Sequence, residues 1–83
     1  MDKDIVYYVE KSSYRKKVLK TIGNDAKMPI EISNESGIIQ NHISNVLRQL
    51  KDKDLVECIN PEVRKGKLYR TTSDGLDVLK KLE

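Results

Sequence analysis

PIEISNESGIIQNHISNVLRQL, residues 29–50, decides how the rest of the chain is read. It opens on Pro29, which suits the first turn of a helix because proline has no amide hydrogen to leave unpartnered there. Ile30, Ile32 and Ser36 follow in a short amphipathic run. Gly37 then supplies a hinge, since a residue without a Cβ takes backbone angles that redirect the chain at little cost. From Gln40 to about Asp52 the apolar positions are Ile43, Val46, Leu47 and Leu50, which a rotation of about 100° per residue gathers into one arc. The opposite arc carries Asn41, Ser44, Asn45, Arg48 and Asp52, with Gln40 at its amino-terminal edge. Two helices about a glycine turn, the second with a hydrogen-bonding outer face, predict a helix-turn-helix. Its second helix reaches about 20 Å and fits a major groove about 12 Å wide.

The flanking segments extend this pattern. Ile5-Val6-Tyr7-Tyr8-Val9, within Asp2 to Val9, is too short for periodicity to separate strand from helix; helix is the preferred reading. Ser12 or Ser13 offers a side-chain oxygen to cap the next element. Tyr14, Val18, Leu19 and Ile22 then share one helical face, Arg15, Lys16, Lys17 and Lys20 point away, and Gly23 ends the run. Asn24 to Lys27 reads as a polar loop, and Pro29 pushes Met28 towards an extended conformation. Leu55 to Ile59 reads as a strand, Asn60 to Gly66 as a turn with a basic tip, and Lys67 to Thr71 as the antiparallel return. Thr72 or Ser73 caps a last helix in which Leu76, Leu79 and Leu82 form a stripe with Val78 beside it. The expected architecture is a single domain over residues 1–83, mainly α with a small β-hairpin (α+β): a three-helix core, the hairpin and a carboxy-terminal helix.

Composition narrows the function. Apolar residues are 37% of the chain and charged residues 35%, without Trp or Phe, so the expected core is aliphatic and draws on Tyr7, Tyr8, Tyr14 and Tyr69. A domain of 83 residues buries on the order of 60% of the surface its unfolded chain exposes, and a dimer contact readily supplements so small a core. Sixteen Lys and Arg against thirteen Asp and Glu leave a charge of +3 and a pI near 9.0, compatible with a polyanionic partner. Cys58 is the one cysteine, so no internal disulfide forms and no zinc site is completed. No nucleophile, base and orienting acid fall into a recognisable set, and no glycine-rich phosphate loop occurs. The reading is therefore a binding protein with no enzyme activity, cofactor or metal. No apolar run approaches the roughly 18 residues of a membrane span, and no signal peptide is evident, which gives a soluble, cytoplasmic expectation. The closing Leu82-Glu83 also matches what an expression vector can leave at a carboxyl terminus.

The order helix, helix, glycine turn, helix, basic hairpin, helix resembles the winged helix-turn-helix of the ArsR/MarR-like transcriptional regulators, in particular their small archaeal versions. The residues that carry the resemblance are Ser13-Tyr14-Arg15 with Val18-Leu19, Glu35-Ser36-Gly37-Ile38 at the turn, and His42-Ile43-Ser44 with Leu47 and Leu50. Leu55-Val56 at the start of the wing, and Tyr69-Arg70-Thr71-Thr72 with Gly75, Leu79 and Leu82 after it, complete the set. Two positions depart from it. Ile39 stands where a Ser or Thr usually caps the recognition helix. Asp54 replaces the glycine that usually precedes the wing, and Asp tolerates the left-handed conformation better than most residues.

The resemblance implies that Gln40, Asn41, Ser44, Asn45 and Arg48 face double-stranded DNA. Asn and Gln can pair two-pronged with adenine, Arg with guanine, and Ser with phosphate or base. Arg64, Lys65 and Lys67 at the wing tip are then expected on phosphates or in the adjacent minor groove, supplying affinity through counterion release. Lys16, Lys17 and Lys20 read as a solvated face, His42 as a surface or DNA-flanking residue, and Cys58 as a small apolar residue of the wing sheet. A homodimer is expected, joined through Ile5 to Val9, the last helix, or both. The alternative reading is a winged-helix module that binds protein in a transcription or other assembly, because fold does not fix function. A continuous positive face across Arg48 and the wing cations separates the first reading from the second.

Overall fold

Apolar side chains at helical spacing account for most of the secondary structure in a computed structural model of the chain, which describes residues 3–82. The expectations for Asp2 and Glu83 lie outside the described residues. The elements are α1 (Lys3–Glu10), α2 (Ser13–Ile22), α3 (Pro29–Ser36), α4 (Gln40–Asp52), β1 (Val56–Cys58), β2 (Tyr69–Thr71) and α5 (Ser73–Leu82). The chain is thus mainly helical with a small antiparallel sheet. Among the described residues no helix is long and apolar enough to cross a membrane.

Local chemistry sets the ends of these elements. Ser12 Oγ accepts from the Arg15 amide at 3.2 Å and caps α2, relieving one of the unpaired donors of its first turn. Pro29 occupies the first turn of α3, and Glu31 Oε1 reaches back to accept from the Met28 amide at 2.8 Å. Thr72 caps α5, its Oγ1 accepting from the Gly75 amide at 3.0 Å. The turn between α3 and α4 rests on Gly37 at φ +78°, a left-handed conformation that glycine adopts without a Cβ clash. Two serines lock it: Ser33 Oγ donates to the Ile38 carbonyl, and Ser36 Oγ accepts from the Ile38 amide at 3.2 Å. Ile38 is thereby folded into the core while Ile39 stays 61% exposed. Asp54 takes φ +59° after α4, as its left-handed tolerance predicts.

In the sheet, Val56 pairs with Thr71, Glu57 with Arg70 and Cys58 with Tyr69. Both strands are shorter than the sequence suggests. The Leu55 amide donates to the Leu50 carbonyl at 2.9 Å, so Leu55 belongs to the turn out of α4. The Leu68 amide is taken by Asn60 Oδ1 at 2.7 Å. Lys27 corrects the reading of Asn24 to Lys27 as loop alone. It exchanges two backbone hydrogen bonds with Tyr69, at 2.8 and 3.0 Å, and forms a one-residue bridge on the open edge of β2.

The core is one cluster, built from Val9, Val18, Leu19, Ile22, Ile32, Ile38, the α4 stripe Ile43, Val46, Leu47 and Leu50, then Leu55, Val56 and Val78. α5 lies so close to the turn before β1 that a Cβ on Gly75 would sit 2.2 Å from the Leu55 carbonyl oxygen. That approach explains a glycine inside a helix despite its entropic cost. Two expectations need correction, those for the tyrosines and for Arg15. Tyr7 and Tyr14 are 65% and 43% exposed, so of the four tyrosines only Tyr8 and Tyr69 pack against the core. Leu76, Leu79 and Leu82 are half-buried, and Val78 is the α5 side chain that reaches the interior fully. Arg15 turns inward: its guanidinium stacks 3.8 Å from the Tyr8 ring centre and donates to Gln49 Oε1 and the Tyr8 carbonyl, each at 3.0 Å. A planar cation with several donors can tie α1, α2 and α4 together in this way, whereas a flexible ammonium cannot.

Candidate nucleic-acid interface

α4 presents its polar side because the apolar side is fully engaged. With Ile43 and Leu50 buried completely and Val46 and Leu47 nearly so, the residues rotated about half a turn away must face solvent. Gln40, Asn41, Ser44, Asn45 and Arg48 are all exposed. At about 100° per residue, Asn41, Asn45, Arg48 and the exposed Asp52 form the crest directly opposite the core, while Gln40, Ser44 and Lys51 lie along one flank. On the crest, Arg48 Nη2 donates to Asn45 Oδ1 at 3.3 Å. The guanidinium is thus steadied by a neighbour one turn back and keeps its other donors, and the Asn45 amide nitrogen remains available as a donor.

The flank with Gln40 faces the hairpin. Gln40, Arg64, Lys65 and Lys67 line a cleft of about 320 Å³, and Ser44, Arg48 and Lys51 line a second of about 230 Å³. Pro29 and Tyr69 border both clefts, so the two are adjacent parts of one face running from the hairpin tip to the last turn of α4. Among the described residues no Asp or Glu lines either cleft. Both ion pairs found there, Lys27 with Glu35 and Arg70 with Glu57, involve other cations. Arg64, Lys65 and Lys67 therefore have no ion-pair partner beside α4 among the described residues, and Arg48 and Lys51 add two more cations to the lining of the clefts, with Asp52 on the crest outside them.

Asn60 closes the far loop of the hairpin, whose strands are also joined by the ion pair of Arg70 with Glu57. Asn60 Oδ1 accepts from the Leu68 amide at 2.7 Å and its Nδ2 donates to the Gly66 carbonyl at 3.1 Å, closing the loop that carries Arg64 and Lys65. Cys58 is half-buried, its Sγ 3.6 Å from the same Asn60 oxygen. Tyr69, at the junction of the two clefts, is half-buried, and burial first, then the adjacent Cys58, raises its phenol above the usual value of 10.0. It stays protonated across the neutral range and can donate a hydrogen bond there.

The structure brings Gln40, Ser44 and Arg48 together with Arg64, Lys65 and Lys67, and sets Asn41 and Asn45 on the crest outside the clefts. Lys51 is the residue that sequence reasoning passed over. Its signal was present, because Ser44, Arg48 and Lys51 stand at i, i+4 and i+7, the spacing of one helical stripe. His42 lies on the other flank of α4, its ring centre 5.2 Å from that of Tyr14 at a 52° tilt. Comparison with protein-family models, curated proteins and solved structures gives no match to this chain.

Proposed function

We propose that the chain is a winged helix-turn-helix DNA-binding regulator resembling the ArsR/MarR-like proteins, with α3 and α4 as the helix-turn-helix and residues 60–67 as the wing. One observation carries the reading: the clefts between α4 and the wing are lined by Arg48, Lys51, Arg64, Lys65 and Lys67 with no carboxylate among their lining residues, and Asn41 and Asn45 stand on the crest beside them. A helix about 10–12 Å across with its side chains fills a major groove about 12 Å wide. In that pose Asn41, Asn45 and Arg48 meet base edges, and Lys51, Arg64, Lys65 and Lys67 meet the bordering phosphates.

The proposed active form is a homodimer. Tyr7 on α1 is exposed, and Val6, Leu79 and Leu82 remain half-buried on α1 and α5, leaving apolar area for a second copy. A rival reading, a protein-binding module, draws on the exposed Ile30 beside the same face and the exposed Ile39 on the opposite flank of α4. Selection from a random duplex library with the purified protein separates these possibilities. The expected enrichment is a near-palindrome with half-site centres about 34 Å apart. A single half-site would reject the dimer, and absence of any enriched motif would reject sequence-specific binding.

A further inference from the structure

The flank of α4 turned away from the wing carries a second set of donors. Ser13, Tyr14 and Lys17 of α2 and His42 of α4 border a cleft of about 380 Å³ whose remaining wall is Gly37, Ile38 and Ile39. Every polar side chain there can donate a hydrogen bond, and among the described residues no Asp or Glu lines the cleft. Tyr14 was expected in the core. Instead it stands 43% exposed with its ring against His42, which restricts the imidazole at the mouth of the cleft. At about 100° per residue, His42 lies almost opposite Ser44 and Lys51 across the α4 crest. A helix seated in a major groove brings its two flanks to the two strand backbones that border the groove. The wing side has Lys51, Arg64 and Lys65; the far side has Lys17, Tyr14, His42 and Ser13.

We infer that this cleft holds a phosphodiester of the far strand, making α4 the centre of a two-sided grip on duplex DNA. Lys17 supplies the charge, and the Ser13 and Tyr14 hydroxyls and the His42 ring supply directed hydrogen bonds. Ile39, 61% exposed at the rim, offers apolar surface to the adjoining deoxyribose. The inference rests on the DNA-binding reading and assigns Lys17 a contact that its place among the α2 lysines does not suggest.

The test is a titration of the full chain with the selected duplex across a range of salt concentrations. Lys17→Ala is expected to lower the slope of log K against log salt by about one and to weaken all duplexes similarly. Lys20→Ala, on the same helix but outside the cleft, leaves the slope unchanged. Tyr14→Phe keeps the ring and loses the hydroxyl, so Kd rises several-fold at an unchanged slope. In duplexes carrying single neutral methylphosphonates, one position on the far strand weakens the unmodified protein and not Lys17→Ala. An unaltered slope in Lys17→Ala, equal slope losses in Lys17→Ala and Lys20→Ala, or the same methylphosphonate profile for both proteins overturns the far-side contact while DNA binding stands. No binding by the unmodified protein at low salt overturns both.

Discussion

α4 and the hairpin from Val56 to Thr71 border the same face, yet they are built by opposite means. α4 is seated by four apolar residues that leave almost nothing exposed, so its outer side chains project from a rigid rod. The hairpin has three-residue strands, and its far loop depends on the hydrogen bonds of Asn60. Rigid placement suits groups that discriminate base edges, because a hydrogen bond fails within a fraction of an ångström or a few tens of degrees. Charge acts over a Debye length of about 8–10 Å and tolerates a looser mount. The proposed division of labour, specificity in α4 and affinity in the hairpin, thus matches how each is held.

Breaking each mount should show this difference. Leu50→Ala empties a fully buried site under α4 and is expected to cost about 2–5 kcal/mol of global stability by urea denaturation. A loss below about 1 kcal/mol would mean that the apolar stripe does not seat the helix. Asn60→Ala should cost less, about 0.5–1.5 kcal/mol, and locally. The Leu68 amide should exchange with solvent faster while the α4 amides keep their protection. Equal acceleration in α4 would make the hairpin and the helix one cooperative unit and remove the contrast.

The same contrast explains what the sequence disclosed. The bounds of α4, its buried stripe and its polar crest follow from periodicity alone, because thirteen residues hold enough turns for the pattern to average out. Asp54 at φ +59° was legible from turn chemistry. The strand ends were not, because they depend on a side chain, Asn60, capturing the Leu68 amide eight positions away. The Lys27 bridge to Tyr69 joins residues 42 positions apart, and no local pattern in Asn24 to Lys27 announces it. Arg15 and Tyr14 were misplaced for a related reason. On α2 the face that meets α1 and α4 is decided by those partners, and Arg15 finds acceptors there that helical spacing cannot reveal. The clefts shared by α4 and the hairpin needed the fold, since Arg48 and Lys65 are separated by a turn, a strand and a loop.

Arg48 and Lys65 are both exposed, so their replacement should leave stability nearly unchanged, the smallest effect on the fold and the most direct on function. The deciding measurement compares Arg48→Ala and Lys65→Ala for binding to the selected duplex and to a scrambled one, each across salt. Arg48→Ala should reduce the preference for the selected duplex by about 1–3 kcal/mol. Lys65→Ala should weaken both duplexes alike and lower the salt slope by about one, with the preference intact. Equal losses on both duplexes from both substitutions would contradict an α4 that reads sequence beside a wing that supplies charge.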